Sequence, residues 1–149
     1  QLLSTAENEG EHIPYALEIA DSAMTYRYRY LNLFEAPQAI DLLLLDPANP
    51  RSAAFQFATI LRHALSLPKI TPLQRGNAAK AIVDEARGQM LKADPFALAA
   101  ADDSGRRPAL IALGHAIDEA MLRLSDAITD AYFQHTTTSR AGAGPRKEP

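Results

Sequence analysis

Between residues 108 and 135 the apolar positions Leu110, Leu113, Ile117, Ala120, Leu124, Ala127 and Ala131 alternate in steps of three and four. That is the seam of a helix packed in a bundle. Met121 and Ile128 widen the stripe, and Asp118, Glu119, Arg123, Asp126 and Asp130 cover the opposite side. Over 72–92 a second stripe, Ala79, Ile82, Val83, Ala86 and Met90, predicts a buried helix face. Lys80 and Asp84 fall at i,i+4 on its solvent side, a pair worth a few tenths of a kcal/mol. Weaker patterns of the same period predict helices over 14–34, 37–45, 50–66 and 95–101.

Ten prolines would oppose so much helix if they lay inside it, at about 3 kcal/mol each. Their positions suggest starts instead, because a proline at the first helical position lacks only an N–H that would have had no partner. Thr71-Pro72 with Gln74 has the form of a capping box, and Asn49-Pro50 and Asp94-Pro95 each place a good N-cap before the ring. Pro14, Pro37 and Pro108 also open helical patterns, Pro47 and Pro68 mark short breaks, and Pro145 and Pro149 lie near the end. Residues 136–149, TTTSRAGAGPRKEP, have no periodicity and predict a flexible tail. The expected fold is therefore all-α: an antiparallel helical bundle over 1–135, of about five or six helices with short Pro-marked connections, followed by that tail.

Composition agrees. The chain holds 28 Ala and 19 Leu against a single Val, which favours helix and cannot furnish several strands. A net charge of −3 gives no electrostatic reason to expect nucleic acid or an anionic membrane as partner. No 18-residue apolar run predicts a membrane span. With no cysteine there are no disulfides, thiolate metal sites or cysteine nucleophiles, and this suits a reducing cytoplasm. The first residue is Gln, and no basic region followed by an apolar one begins the chain, so a fragment or processed product is expected rather than a signal peptide.

Two segments carry unusual chemistry. In Asp21–Tyr30 arginines and tyrosines alternate; on a helix Ser22, Tyr26 and Tyr30 share one line, as do Asp21 and Thr25. Arg27 and Arg29 point about 200° apart, so they cannot form one cationic clamp without help from other helices. In Leu42–Ser52 a leucine run meets a tight connection in which Asp46 and Asn49 can hold backbone N–H groups. Arg51 there opposes the helix dipole and calls for an anionic partner. Asp21, Thr25, Tyr26, Arg27, Arg29, Tyr30, Asp46, Asn49, Arg51 and Ser52 are thus the candidate binding residues. They could hold an anionic group or a partner's carboxylate. The plainer reading is structural: tyrosine hydroxyls and arginine stems packed at a helix boundary, with Arg51 paired to Asp21 or Asp46.

Catalytic signatures are missing. Glu9-x-x-His12 has the spacing of a di-iron ligand pair but occurs once, where such sites need two copies and two further Glu. His115 with Glu119 is an ordinary i,i+4 pair. No metal site and no cofactor are expected, and no nucleophile elbow or phosphate loop is present.

The stretches DSAMTYRYRYL (Asp21–Leu31), AIDLLLLDPANPRSAAFQF (Ala39–Phe57) and AYFQH (Ala131–His135) resemble the bacterial Alpha-E domain. The likeness covers most of 13–135, and its Asn-Pro-Arg-Ser and Phe-Gln segment is the specific part. It implies an all-helical fold and a setting beside, or fused to, circularly permuted ATP-grasp and transglutaminase-like domains. It places the chain's work in peptide synthesis or modification, with an ATP-grasp protein as partner in cis or trans. The family positions carried over are Asp21, Ser22, Thr25, Tyr26, Arg27, Arg29 and Tyr30, then Asp46, Asn49, Pro50, Arg51 and Ser52, with no catalytic roles. The family's Glu-Arg signature is absent as a dipeptide, so the chain is expected to be the C-terminal part of a larger domain.

The expected function is that of a non-catalytic helical module. The alternative is part of an enzyme site in which Arg27, Arg29 and Arg51 bind an anionic substrate group and the catalytic residues come from elsewhere. The Ala-lined seams also suggest a homo-oligomer.

Overall fold

The computed structural model describes residues 2–31, 33–66 and 75–132. Helices α1 (Glu9–Ile19), α2 (Ala23–Tyr30) and α3 (Ala36–Ile40) lead into a π-helical turn, Asp41–Leu45. Then follow α4 (Ala53–Ser66), α5 (Arg75–Lys92), α6 (Pro95–Ala99) and α7 (Pro108–Tyr132). The described residues contain no strand beyond an isolated bridge between Thr5 and Arg106. The fold is the expected all-α bundle.

Its first third departs from the single helix expected over 14–34. The chain turns helical at Glu9 and holds Pro14 inside α1, so this proline does not mark a start. It then breaks at Asp21, whose φ of 49 is left-handed. The Ser22 N–H bonds back to Leu17 O at 2.8 Å and the Asp21 N–H to Glu18 O at 2.9 Å, the two bonds of a Schellman motif. Glycine usually fills that position; aspartate is one of the few side chains that tolerates it. A new helix, α2, starts at once.

Two further boundaries differ. α4 begins at Ala53, not at Pro50, because Ser52 is its cap: the Ser52 hydroxyl accepts from the Phe55 N–H at 3.1 Å. Pro50 stays in the preceding turn, and Asn49 does other work. α6 ends at Ala99, two residues short of expectation, as Ala100 is extended. Pro37 lies in the first turn of α3, and Pro95 and Pro108 open α6 and α7. Asp94 caps α6 through the Phe96 N–H, at 3.1 Å. The Thr71-Pro72-Gln74 box and the tail over 136–149 lie outside the described residues.

The core forms where α5 packs on both α4 and α7 and where α3 meets α6. Ala79, Ile82, Val83, Ala86 and Met90 of α5 are all buried, facing the α7 seam through Leu110, Leu113, Ala120 and Leu124. Ile13, Leu17, Tyr26, Ile40, Leu42 and Phe57 extend the core under α1 to α4. Each large aliphatic side chain buried in this way contributes about 1.5–3 kcal/mol.

Arg107, which nothing in the sequence singled out, is 1% exposed. Its guanidinium donates to the carbonyls of Ala99 (2.9 Å), Leu3 (2.8 Å) and Thr5 (2.6 Å) and pairs with Glu9. A buried cation needs this many acceptors. Backbone bonds Ala6 N to Gly105 O, 2.8 Å, and Arg107 N to Ser4 O, 2.9 Å, complete a clasp between the first residues and the start of α7. Opposite this segment, Asp102 gathers the N–H groups of Ser104 and Arg106 and the Ser104 hydroxyl. These donors, the hydroxyl foremost, hold its carboxyl below the usual carboxylate range.

Candidate functional site

The π turn creates the site's central contact. In an α-helix the Asp46 N–H would bond to Leu42 O; here it reaches Asp41 O at 2.9 Å, one residue further back. Leu42 O is released inside the core, and the Asn49 amide donates to it at 2.8 Å. The same nitrogen lies 3.4 Å from the Ser22 hydroxyl, which donates to Ala20 O. The Asn49 carbonyl accepts from the Arg51 N–H at 3.2 Å. Ser22, Asn49 and Ser52 are all buried, and the bonds join the start of α2, the π turn and the cap of α4.

Ion pairs flank this polar knot. Arg51 reaches Asp21 at 2.6 Å, which settles which acid it meets. Arg29 pairs with Asp46, whose other oxygen accepts from the Ala48 N–H at 2.8 Å. Asp46 and Asn49 thus both hold turn N–H groups, as their types predicted. Exposed pairs like Arg51–Asp21 add little stability, but they fix two arginines to this chain's own carboxylates.

The tyrosines form the inner wall. Tyr26 is wholly buried; its hydroxyl donates to Leu33 O at 2.9 Å and accepts from the Glu35 N–H at 3.0 Å. Its ring lies 5.5 Å from Phe34, stacked, and 5.0 Å from Tyr30, tilted, separations at which aromatic pairs attract. The Tyr30 hydroxyl donates to Asp41 at 3.2 Å. Burial pushes the phenol pKa of both residues up, reinforced at Tyr30 by the Asp41 carboxylate.

Of the ten residues predicted, Asp21, Tyr26, Arg29, Tyr30, Asp46, Asn49, Arg51 and Ser52 meet around this knot. Thr25 and Arg27 do not join its hydrogen bonds. Arg27 is exposed on the far side of α2, among Met24, Tyr28 and Leu31, which are 76%, 90% and 77% exposed. Met24, Arg27 and Tyr28, at i, i+3 and i+4, share one outward face of α2, and the exposed Leu31 follows as its C-cap. Sequence reasoning missed Ser22 as a partner of Asn49, Asp41 as the acceptor for Tyr30, and Arg107. Among the described residues no three His, Asp or Glu side chains group as metal ligands, and Glu9, of the Glu9-x-x-His12 spacing, is held by Arg107.

One family model matches residues 1–133: Alpha-E, a predicted alpha-helical domain with a conserved ER motif. No curated protein and no solved structure matches the chain.

Proposed function

Because the chain belongs to the Alpha-E family, we propose that it is a non-catalytic helical module serving a bacterial, cytoplasmic ATP-grasp system of peptide synthesis or modification, with the ATP-grasp protein as its partner in cis or trans. The observation that supports this reading is the two-sidedness of α2. Its inner side, through Tyr26, Arg29 and Tyr30, is spent on holding the chain together. Its outer side presents Met24, Arg27, Tyr28 and Leu31 to solvent. A cation set among exposed apolar and aromatic side chains suits a protein surface carrying carboxylates, since Arg and Tyr are typical anchors of such interfaces.

The experiment is a titration of the purified chain against an ATP-grasp protein encoded beside it. Saturable binding is expected, lost with Arg27→Glu combined with Tyr28→Ala and kept with Arg51→Ala. Turnover of ATP and an amino donor by the chain alone would overturn the reading. With the ATP-grasp partner present, an activity loss well above tenfold on Arg51→Ala would favour the other model, in which Arg27, Arg29 and Arg51 bind an anionic substrate group. A desolvated arginine–anion contact is worth more than about 1.4 kcal/mol.

A further inference from the structure

The outer side of α7 repeats the spacing of its buried seam. Ile111, His115, Asp118 and Leu122 follow one another in steps of four, three and four, about 160° around the helix from Leu113 and Leu124. Leu122 is 68% exposed and its neighbour Met121 41%. His115 and Asp118 are exposed as well. Ile111, His115 and Asp118 of this stripe, with Gly114, line an open groove of about 740 Å³ that is shared with Ile19, Leu43 and Arg106. Gly114 lies well inside the helix, where glycine costs roughly 0.5–1 kcal/mol relative to alanine. A Cβ there would meet nothing within 4 Å, so packing within the chain gives no reason for it.

We infer that this stripe and groove seat a second copy of the chain, with the two α7 helices antiparallel about a two-fold axis between His115 and Asp118. The pattern is complementary to itself in that orientation, as a two-fold interface requires. His115 of each copy faces Asp118 of the other, giving two imidazole–carboxylate pairs. Ile111 of each copy faces Leu122 of the other, which enters the groove beside Ile19. Met121 of each copy crosses Gly114 of the other, where the missing side chain leaves room. Parallel pairing would instead set His115 against His115 and Asp118 against Asp118, so charge selects the antiparallel arrangement.

Sedimentation equilibrium of the full chain tests this. Between about 1 and 100 μM, a range that brackets an ordinary reversible dimer, the mass is expected to rise from 16.2 kDa towards twice that value. His115→Glu sets two carboxylates face to face twice over, and Asp118→Lys removes both attractions. Each is expected to weaken the dimer about tenfold or more. Mixing the two variants restores association, because every facing pair is then of opposite charge or hydrogen-bonding. Leu122→Glu weakens the dimer as well and is not rescued by either. All three sites are exposed, so circular dichroism stays that of the parent chain. A constant 16.2 kDa over the whole range, a dimer indifferent to these substitutions, or failure of the mixture to associate would each overturn the inference, the latter two assigning the groove to another occupant.

Discussion

The Asn49 amide donates to Leu42 O across 2.8 Å, and that carbonyl is open only because the chain makes a π turn there. One side chain thus completes what the backbone leaves undone. Asn49→Ala leaves a buried acceptor without a donor and is expected to cost about 2–3 kcal/mol. Asn49→Asp, which keeps the shape and cannot donate, should cost at least as much. Urea unfolding of the three chains measures the difference.

Arg107 is expected to be the costliest single position. Removing its guanidinium strands the carbonyls of Leu3, Thr5 and Ala99 and leaves Glu9 without its cation. Arg107→Ala should destabilise by about 3–5 kcal/mol. Lysine restores the charge but not the fork that reaches four acceptors, so Arg107→Lys should recover only part of the loss. Midpoints of denaturant unfolding decide this.

Tyr26 and Tyr30 set the alkaline limit. Their phenols have folded pKa values above the ordinary 10.0, so the folded state favours the neutral form. The stabilisation is complete below pH 10 and is lost as pH rises through the folded values. Ultraviolet titration should show both ionising above the ordinary phenol value, and Tyr30→Phe should flatten the fall in stability above pH 10. Asp102 acts with the opposite sign. Its lowered carboxyl pKa gives stability that is present above the ordinary 3.8 and fades as pH drops through the folded value.

At Asp21 the left-handed backbone decides which residues fit. Asp21→Ile should cost about 1–2 kcal/mol through the clash a branched side chain meets there. Asp21→Asn or Asp21→Gly should change stability by less than about 0.5 kcal/mol, since both tolerate the conformation and the exposed pair with Arg51 contributes little. Thermal melts of the three variants separate backbone from charge.

The helical seams were legible because burial imposes a period on the sequence, and in α5 and α7 nothing interrupts it. The break at Asp21 was hidden because aspartate occupies a position where glycine would have announced it. At residues 49–52 two capping residues compete; Asn49 beside Pro50 looked the better, but the carbonyl that claims its amide exists only once the leucine run has made its π turn. Tyr26, Arg29 and Arg51 were legible as unusual residues, since charge and hydroxyl groups in an apolar setting need partners. Which partner each takes depends on elements up to 30 residues away. Arg107 left no local trace, because three of its acceptors are backbone carbonyls, which any sequence supplies.

That clasp also bears on how the chain folds. Most helix pairs here join segments that are neighbours or near neighbours in the chain, contacts that form quickly. The bonds from Arg107 to Leu3 and Thr5 bridge separations of 104 and 102 residues, and loop closure over such lengths is the most entropically demanding step available to the molecule. It belongs at the end of the folding reaction, after α7 exists to present the guanidinium. The first residues should therefore be the last to gain protection from amide exchange during refolding, and Arg107→Ala should speed unfolding far more than it slows folding.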